Sequence, residues 1–219
     1  MSEKPKKSLG QNFLHDKNII EKIIHASKIS SNDEVLEVGP GTGNLTKFII
    51  SLKPKKINVI EKDENLANKL EKQYLNKIKI IKEDILKIPN KFYFNKRFLI
   101  LGNLPYNIST KILSNWCLND KLSVSKMILM FQKEVAERIL AEVNSREYSR
   151  ITILSHWKFH IRKITDVKPN SFFPKPKVHS TVLEFIPKKE IYEIKNPKNL
   201  EKITRVFFSQ RRKMIKKPI

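Results

Sequence analysis

Apolar and polar positions along this chain alternate between two periods. Residues 17–29 (KNIIEKIIHASKI) set Ile19, Ile20, Ile23, Ile24 and Ala26 at helical spacing, with Asp16 where a cap is expected. EVLEV (34–38) is a short β-rich run that stops at a glycine turn. The pattern then predicts a helix over TKFIISL, a strand over KINVIE (56–61), a helix over 64–74 and a strand over KIKIIKED (77–84). RFLILGN (97–103) and KMILMFQ (126–132) read as two more strands, each followed by a helix, over 108–118 and 133–143. Strands alternating with helices of this length predict βαβ units and a parallel sheet. Near-continuous apolar strands such as FLIL and MILMF suit a sheet covered on both faces. RKITDVK and KVHSTVLEF, joined through a proline-rich turn, read as an antiparallel pair closing that sheet.

Charge changes the picture next. Among 219 residues there are 44 Lys+Arg against 22 Asp+Glu, a formal net charge of +22. A field of that sign concentrates polyanions, so nucleic acid heads the partner classes. Only 8 of the basic residues are Arg, which is also what a Lys-rich composition produces. Pro187 ends the periodic pattern, and residues 188–219 carry +8 of the charge. The division expected is an α/β domain over 1–187 and a basic segment over 188–219. The single cysteine, Cys117, excludes an intramolecular disulfide and a cysteine-rich zinc site. The five histidines lack metal-ligand spacing, so no metal is expected. The charged opening MSEKPKKSLG has no apolar core, and no stretch approaches the ~18 apolar residues of a membrane span. A soluble, cytoplasmic protein is expected.

The five glycines fall in three short segments, SLGQNFL, EVGPGTGN and LGNLPYNIST. EVGPGTG follows a strand and precedes a helix, where an open α/β sheet binds ligands and a helix N-terminus favours an anionic group. A dinucleotide fingerprint needs glycine at position 44, which is Asn44, so a nicotinamide-dependent oxidoreductase is disfavoured. Glu61, at the end of the next strand, can accept from both hydroxyls of a ribose. Asp84, at the end of the one after, can accept from an adenine amino group. Each acid taken alone is equally a loop carboxylate or a helix cap; three strand-end features in register favour a nucleoside ligand. N-L-P-Y (103–106) ends the fourth strand. The Asn103 side-chain oxygen and the Leu104 carbonyl are two acceptors for an exocyclic amino group. Pro105 stiffens the turn, and Tyr106 offers a ring on which a base can stack.

SLGQNFL, EVGPGTG, GNLPYNIST, QKEVAER and SFFPKPKVHSTV occur in the order found in the ribosomal RNA adenine dimethyltransferases, and the chain resembles the bacterial small-subunit family, KsgA, over about residues 6–213. The resemblance implies a Rossmann-like class I methyltransferase fold, a mostly parallel seven-stranded sheet with an antiparallel closing strand. It implies S-adenosylmethionine as methyl donor and dimethylation of N6 of two adjacent adenosines near the 3′ end of 16S RNA. The partner would be small-subunit RNA in the small-subunit precursor, and the enzyme a monomer. Carried onto this chain, Asn12, Leu14, Gly39, Glu61, Asp84 and Asn103 would hold the donor. Asn103, Leu104, Pro105, Tyr106 and Phe173 would form the catalytic set, Phe173 facing Tyr106 across the target base. Gln11, Phe172, Lys175 and Lys177 would lie on the RNA side, with Phe172 equally readable as a core residue. The family continues through further C-terminal helices, and FFSQRRKM matches their beginning, so a partial module is expected after Pro187. Two other readings stand beside this one: a large-subunit RNA methyltransferase conferring antibiotic resistance, and a non-catalytic RNA-binding assembly factor.

Overall fold

Backbone pairing of three central strands sets the architecture. In a computed structural model that describes residues 5–6, 9–93 and 95–209, β2 (Glu34–Val38) lies between β3 (Lys56–Ile60) and β5 (Arg97–Asn103), parallel to both. β4 (Lys79–Ile81) continues the parallel sheet outside β3, and β6 (Ser123–Gln132) outside β5. β9 (Ser180–Pro187) then inserts antiparallel between β6 and β7 (Phe159–Val167), giving the order β4-β3-β2-β5-β6-β9-β7. A separate two-residue ladder joins β1 (Phe13–Leu14) to β8 (Phe172–Phe173). The mostly parallel seven-stranded sheet with one antiparallel strand is the class expected from the sequence.

Alternate side chains along the strands feed two cores, because successive strand residues face opposite sides. On one side Val35, Ile57, Val59, Leu99 and Leu101 pack with Ile20 and Ile23 of α1 (Lys17–Ser27) and Ile49 of α2 (Asn44–Ser51). On the other, Leu36, Ile60, Phe98, Ile100 and Leu129 meet Ile112 and Trp116 of α4 (Ser109–Leu118), Ile139 of α5 (Lys133–Leu140) and Leu154 of α6 (Arg150–Lys158). Cys117 is buried in that second core, as a small hydrophobe. α1 starts where Asp16 accepts from the Asn18 and Ile19 amides and stops at Lys28, whose φ of 52° is left-handed. α3 (Glu64–Gln73) is capped in the same way by Asp63.

Several boundaries differ from the periodicity. The third predicted strand shrinks from 77–84 to Lys79–Ile81, since Asp84 starts a short 3₁₀ turn over Ile85–Lys87. The helix expected to reach 143 ends at Leu140, where Ala141 turns extended. α6 has no counterpart in the pattern: Ile151, Thr152, Leu154 and Ser155 are all buried, so no one-sided apolar stripe marks it. α7 (Pro197–Ser209) packs on α6, with Glu201 paired to Arg205 at 2.8 Å and to Arg150 at 3.8 Å. The rest of the basic segment, 210–219, lies outside the described residues. No helix among the described residues is long and apolar enough to cross a membrane, and no cluster of His, Cys, Asp and Glu there could hold a metal ion.

The inserted strand carries one buried acid. Glu184 on β9 is 1% exposed and takes the ammonium of Lys126 at 3.0 Å and the guanidinium of Arg162 from opposite neighbours. Both cations outweigh burial and hold its carboxyl below the usual range. Losing the buried Glu184 strands the largely buried Lys126 charge, while Arg162, 65% exposed, is left in water. Glu184→Ala is therefore expected to destabilise the protein by about 3 kcal/mol in denaturant unfolding, whereas truncating the exposed Glu134, paired with Arg138, leaves the midpoint nearly unchanged.

Candidate active site

The parallel strands end at one level, and their C-terminal loops build a single pocket. Ladder hydrogen bonding runs past the strand ends, the Gly39 amide donating to Ile60 O at 3.0 Å and the Glu61 amide to Ile81 O at 3.1 Å. Gly39, Glu61, Asp84 and Asn103 thereby come together around the same cavity, joined by Asn12 and Leu14 from the N-terminal segment. Gly39, Gly41 and Gly43 all have positive φ (69°, 58° and 83°). At Gly41 a Cβ would stand 2.7 Å from the Phe13 ring, so only glycine lets the loop turn beneath that segment.

Each acid is placed by its partners. Glu61 is 7% exposed and accepts from the Asp63 amide at 2.8 Å and the Gly41 amide at 3.3 Å. Burial raises its carboxyl and those two amides oppose the rise. Asp84 is both site lining and helix cap: burial would raise it, but the Leu86 amide at 2.9 Å and Lys62 at 3.0 Å hold it below the usual range. Asp63, 4% exposed, is likewise held low against burial by Lys6 and Gln11. Gln11, expected on the target side, is turned to this acidic side, donating to Asp63 at 2.9 Å.

Asn103 ends β5, and its geometry orients its amide. Nδ2 donates to Asn12 O at 2.8 Å, and the side-chain oxygen has no protein donor among the described residues. Leu104, Pro105 and Tyr106 line the same wall, and the Tyr106 hydroxyl pairs with Ser180 Oγ at 2.6 Å. Burial raises that phenol, so it stays neutral near pH 7. The two phenylalanines of β8 separate. Phe172 is buried among Leu14, Val167 and Val182, while Phe173 is 61% exposed; neither lines the pocket, and Phe173 makes no ring contact with Tyr106. Lys175 and Lys177 are exposed beyond β8, outside the pocket wall.

Three contributors carry no motif weight in the sequence. Asn44, where a dinucleotide fingerprint has glycine, donates to Leu14 O at 2.8 Å and fixes the N-terminal segment to the glycine loop. Ser180 orients Tyr106. Glu37, on β2 one residue before the last, lines the pocket at 1% exposure, and its Oε2 and the nearby Thr46 hydroxyl have no hydrogen-bond partner. Burial pushes the Glu37 carboxyl up to about 8, and the nearby Glu61 charge adds to the rise. Its position beside the glycine loop suggested only a strand residue.

The strand order with its single antiparallel strand, the glycine loop and the two strand-end acids define a class I S-adenosylmethionine-dependent methyltransferase. The family model described as "Ribosomal RNA adenine dimethylase" matches residues 2–219, and the chain belongs to that family. It is 54% identical over 220 residues to a "Ribosomal RNA small subunit methyltransferase A" of Pelagibacter ubique (strain HTCC1062), covering 100% of this chain and 84% of the relative. Among solved structures, it is similar to a dimethyladenosine transferase from Plasmodium falciparum, with a TM-score of 0.82, 35% identity, and 93% and 73% of the two chains covered. It is also similar to the 23S rRNA methyltransferase ErmE, with a TM-score of 0.72, 25% identity, and 91% and 80% covered. The donor class fits the residues present: positive-φ glycines allow backbone approach, and the carboxylates of Glu61 and Asp84 line the pocket as acceptors for hydroxyl and amino groups.

Glu37 gives this site a pH signature. Its folded pKa lies above the unfolded value, so between about pH 4.5 and 8 the folded state holds a proton that the unfolded state has lost. Stability from this group therefore falls as pH rises through that window and is flat above it. Glu37→Gln is expected to match the parent near pH 4.5 and to gain stability progressively toward pH 8, read as the difference in thermal midpoint across a pH series.

Proposed function

We propose that this protein dimethylates N6 of two adjacent adenosines near the 3′ end of 16S ribosomal RNA during small-subunit biogenesis, in the cytoplasm. The observation that carries the reading is the orientation of Asn103: with Nδ2 donated to Asn12 O, the amide presents its oxygen to the pocket. The N6 lone pair of adenine is delocalised into the ring and is a poor nucleophile. The Asn103 oxygen and the Leu104 carbonyl, accepting from the two amino hydrogens, draw that lone pair toward the methyl donor. Bound S-adenosylmethionine supplies a methyl group on a sulfonium sulfur, a good leaving group, so no strong base is required of the protein. Catalysis is then mainly alignment, an effect worth up to ~7–11 kcal/mol.

On this reading Asn12, Leu14, Gly39, Glu61, Asp84 and Asn103 hold the donor, Glu61 at its ribose and Asp84 at its adenine. Pro105 stiffens the acceptor turn and Tyr106 stacks on a base turned out of the RNA. Phe173, exposed on β8, is the aromatic that meets the base from the solvent side, Phe172 supports it from the core, and Lys175 and Lys177 approach phosphate. Helix α7, Pro197–Ser209, carries basic side chains that would approach RNA. The high identity to a small-subunit methyltransferase, against 25% to a 23S enzyme, supports the small-subunit substrate over a large-subunit one. Intact Asn103, Tyr106, Glu61 and Asp84 favour an enzyme over a binding-only factor.

Labelled methyl transfer to undermethylated small subunits, followed by nucleoside analysis, should yield N6,N6-dimethyladenosine in 16S RNA. Label in 23S RNA, or none, would overturn the reading. Asn103→Ala is expected to lower transfer by about 10²–10³-fold, the scale for loss of one aligned polar group, with donor affinity falling less than ~10-fold. Tyr106→Phe should keep most activity and Tyr106→Ala lose it, the difference appearing in KM for RNA; an equally active Ala variant removes stacking from the mechanism. Phe173→Ala should raise the KM for RNA more than donor affinity falls.

A further inference from the structure

Residues 9–14 cross the pocket wall as a strap, and its two ends are held differently. The C-terminal end is held largely by backbone. Phe13 and Leu14 pair with Phe173 and Phe172, the His15 amide donates to Ser171 O at 3.0 Å, and Asn44 holds Leu14 O. The other end is held by side chains converging on one carboxylate. Gln11 Nε2 donates to Asp63 Oδ2 at 2.9 Å, and Lys6 Nζ donates to Asp63 Oδ1 at 2.9 Å. The Lys6 amide donates in turn to Gln11 Oε1 at 2.7 Å, so the three residues close a ring.

Asp63 sits where this ring can act on the pocket. It is buried, its own amide donates to Glu61 Oε1 at 2.8 Å, and the second Glu61 oxygen holds the Gly41 amide. A continuous chain of polar contacts thus runs from the strap through Asp63 and Glu61 to the glycine loop. Capping of α3 accounts for one bond, from the Asn65 amide at 3.1 Å; it does not account for two further donors brought in from more than 50 residues away.

We propose that Asp63 is a positioning residue that latches the strap over the donor pocket, so that breaking its bonds to Lys6 and Gln11 is the step that opens the pocket to donor and product. The inference rests on the donor reading of the pocket. The latch is made wholly between the protein's own side chains, and on this proposal it is present in the free protein and in the complex alike. Weakening it should speed entry and exit together and leave the equilibrium affinity nearly unchanged, because a group that stabilises both states equally shifts no equilibrium between them. A side chain that merely contacts the ligand would, when lost, speed exit alone.

The test measures association and dissociation rates of S-adenosylhomocysteine by surface plasmon resonance on the parent, Lys6→Met and Asp63→Asn. Lys6→Met leaves the α3 cap and the Glu61 contact in place, and Asn at 63 can still cap. Both rates are expected to rise about 3–10-fold in each variant, the scale of one charge-assisted hydrogen bond on a half-exposed partner, with Kd changing less than about twofold. Added salt should speed both rates in the parent and have a smaller effect in Lys6→Met, since it screens an ion pair the variant lacks. A rise in the dissociation rate alone, or no change in either rate, overturns the latch while leaving the donor site standing. Failure of the parent to bind S-adenosylhomocysteine overturns the donor reading and the latch with it.

Discussion

The backbone register of the parallel ladder is the constraint on which the site depends. Val38 stands opposite Ile60 on one side and Gly102 on the other, and Ile60 stands opposite Ile81. These pairings bring four strand ends to one level, so loops that leave them meet around a shared space. A slip of one residue in any strand would turn its buried face to the other side and shift its terminal residue by about 3.3 Å. Glu61 and Asn103 would then no longer address the same ligand. The two apolar cores enforce the register from both faces: Phe98, Ile100 and Leu36 fit one, Leu99, Leu101 and Val35 the other.

Given that frame, the pocket is an exercise in keeping carboxylates dry without leaving them all unsatisfied. Glu37 and Glu61, which line the pocket, and Asp63, bonded to Glu61 through its amide, are all less than 9% exposed. Asp63 is satisfied by donors from three places and remains ionised. Glu61 is satisfied by two backbone amides. Glu37 has an oxygen with no donor and holds its proton to about pH 8. A neutral carboxyl, a partnered carboxylate and a capping carboxylate can share a few ångströms where three bare charges could not.

The alternation of strands and helices was legible because both faces of the sheet are covered and the loops at its ends are short. The glycine turn, both strand-end acids and the NLPY turn were legible for the same reason: each follows an apolar run whose end is easily located. α6 was hidden because burial on several sides erased its stripe. β1 and β8 were hidden because two-residue strands have no period, and their pairing joins residues far apart in the chain. The hydrogen bonds of Asn44, Ser180 and Asp63 depend on side-chain direction in three dimensions, which spacing does not encode. Phe172 and Phe173, adjacent in sequence, point to opposite sides of β8 for the simplest of reasons, the two-residue pleat.

The place of β9 in the sheet governs the order in which the molecule can be completed. β7 is made before β9, yet among the described residues its only sheet partner is β9, which wedges between it and β6. As the chain leaves the ribosome, β6 therefore presents an open apolar edge and β7 has nowhere to pair until residues 180–187 arrive. The strap meets the same delay, since Phe13 and Leu14 pair with Phe173 and Phe172, far along the chain. An RNA methyltransferase of this topology thus completes the frame of its active site only after residues 172–187 have emerged.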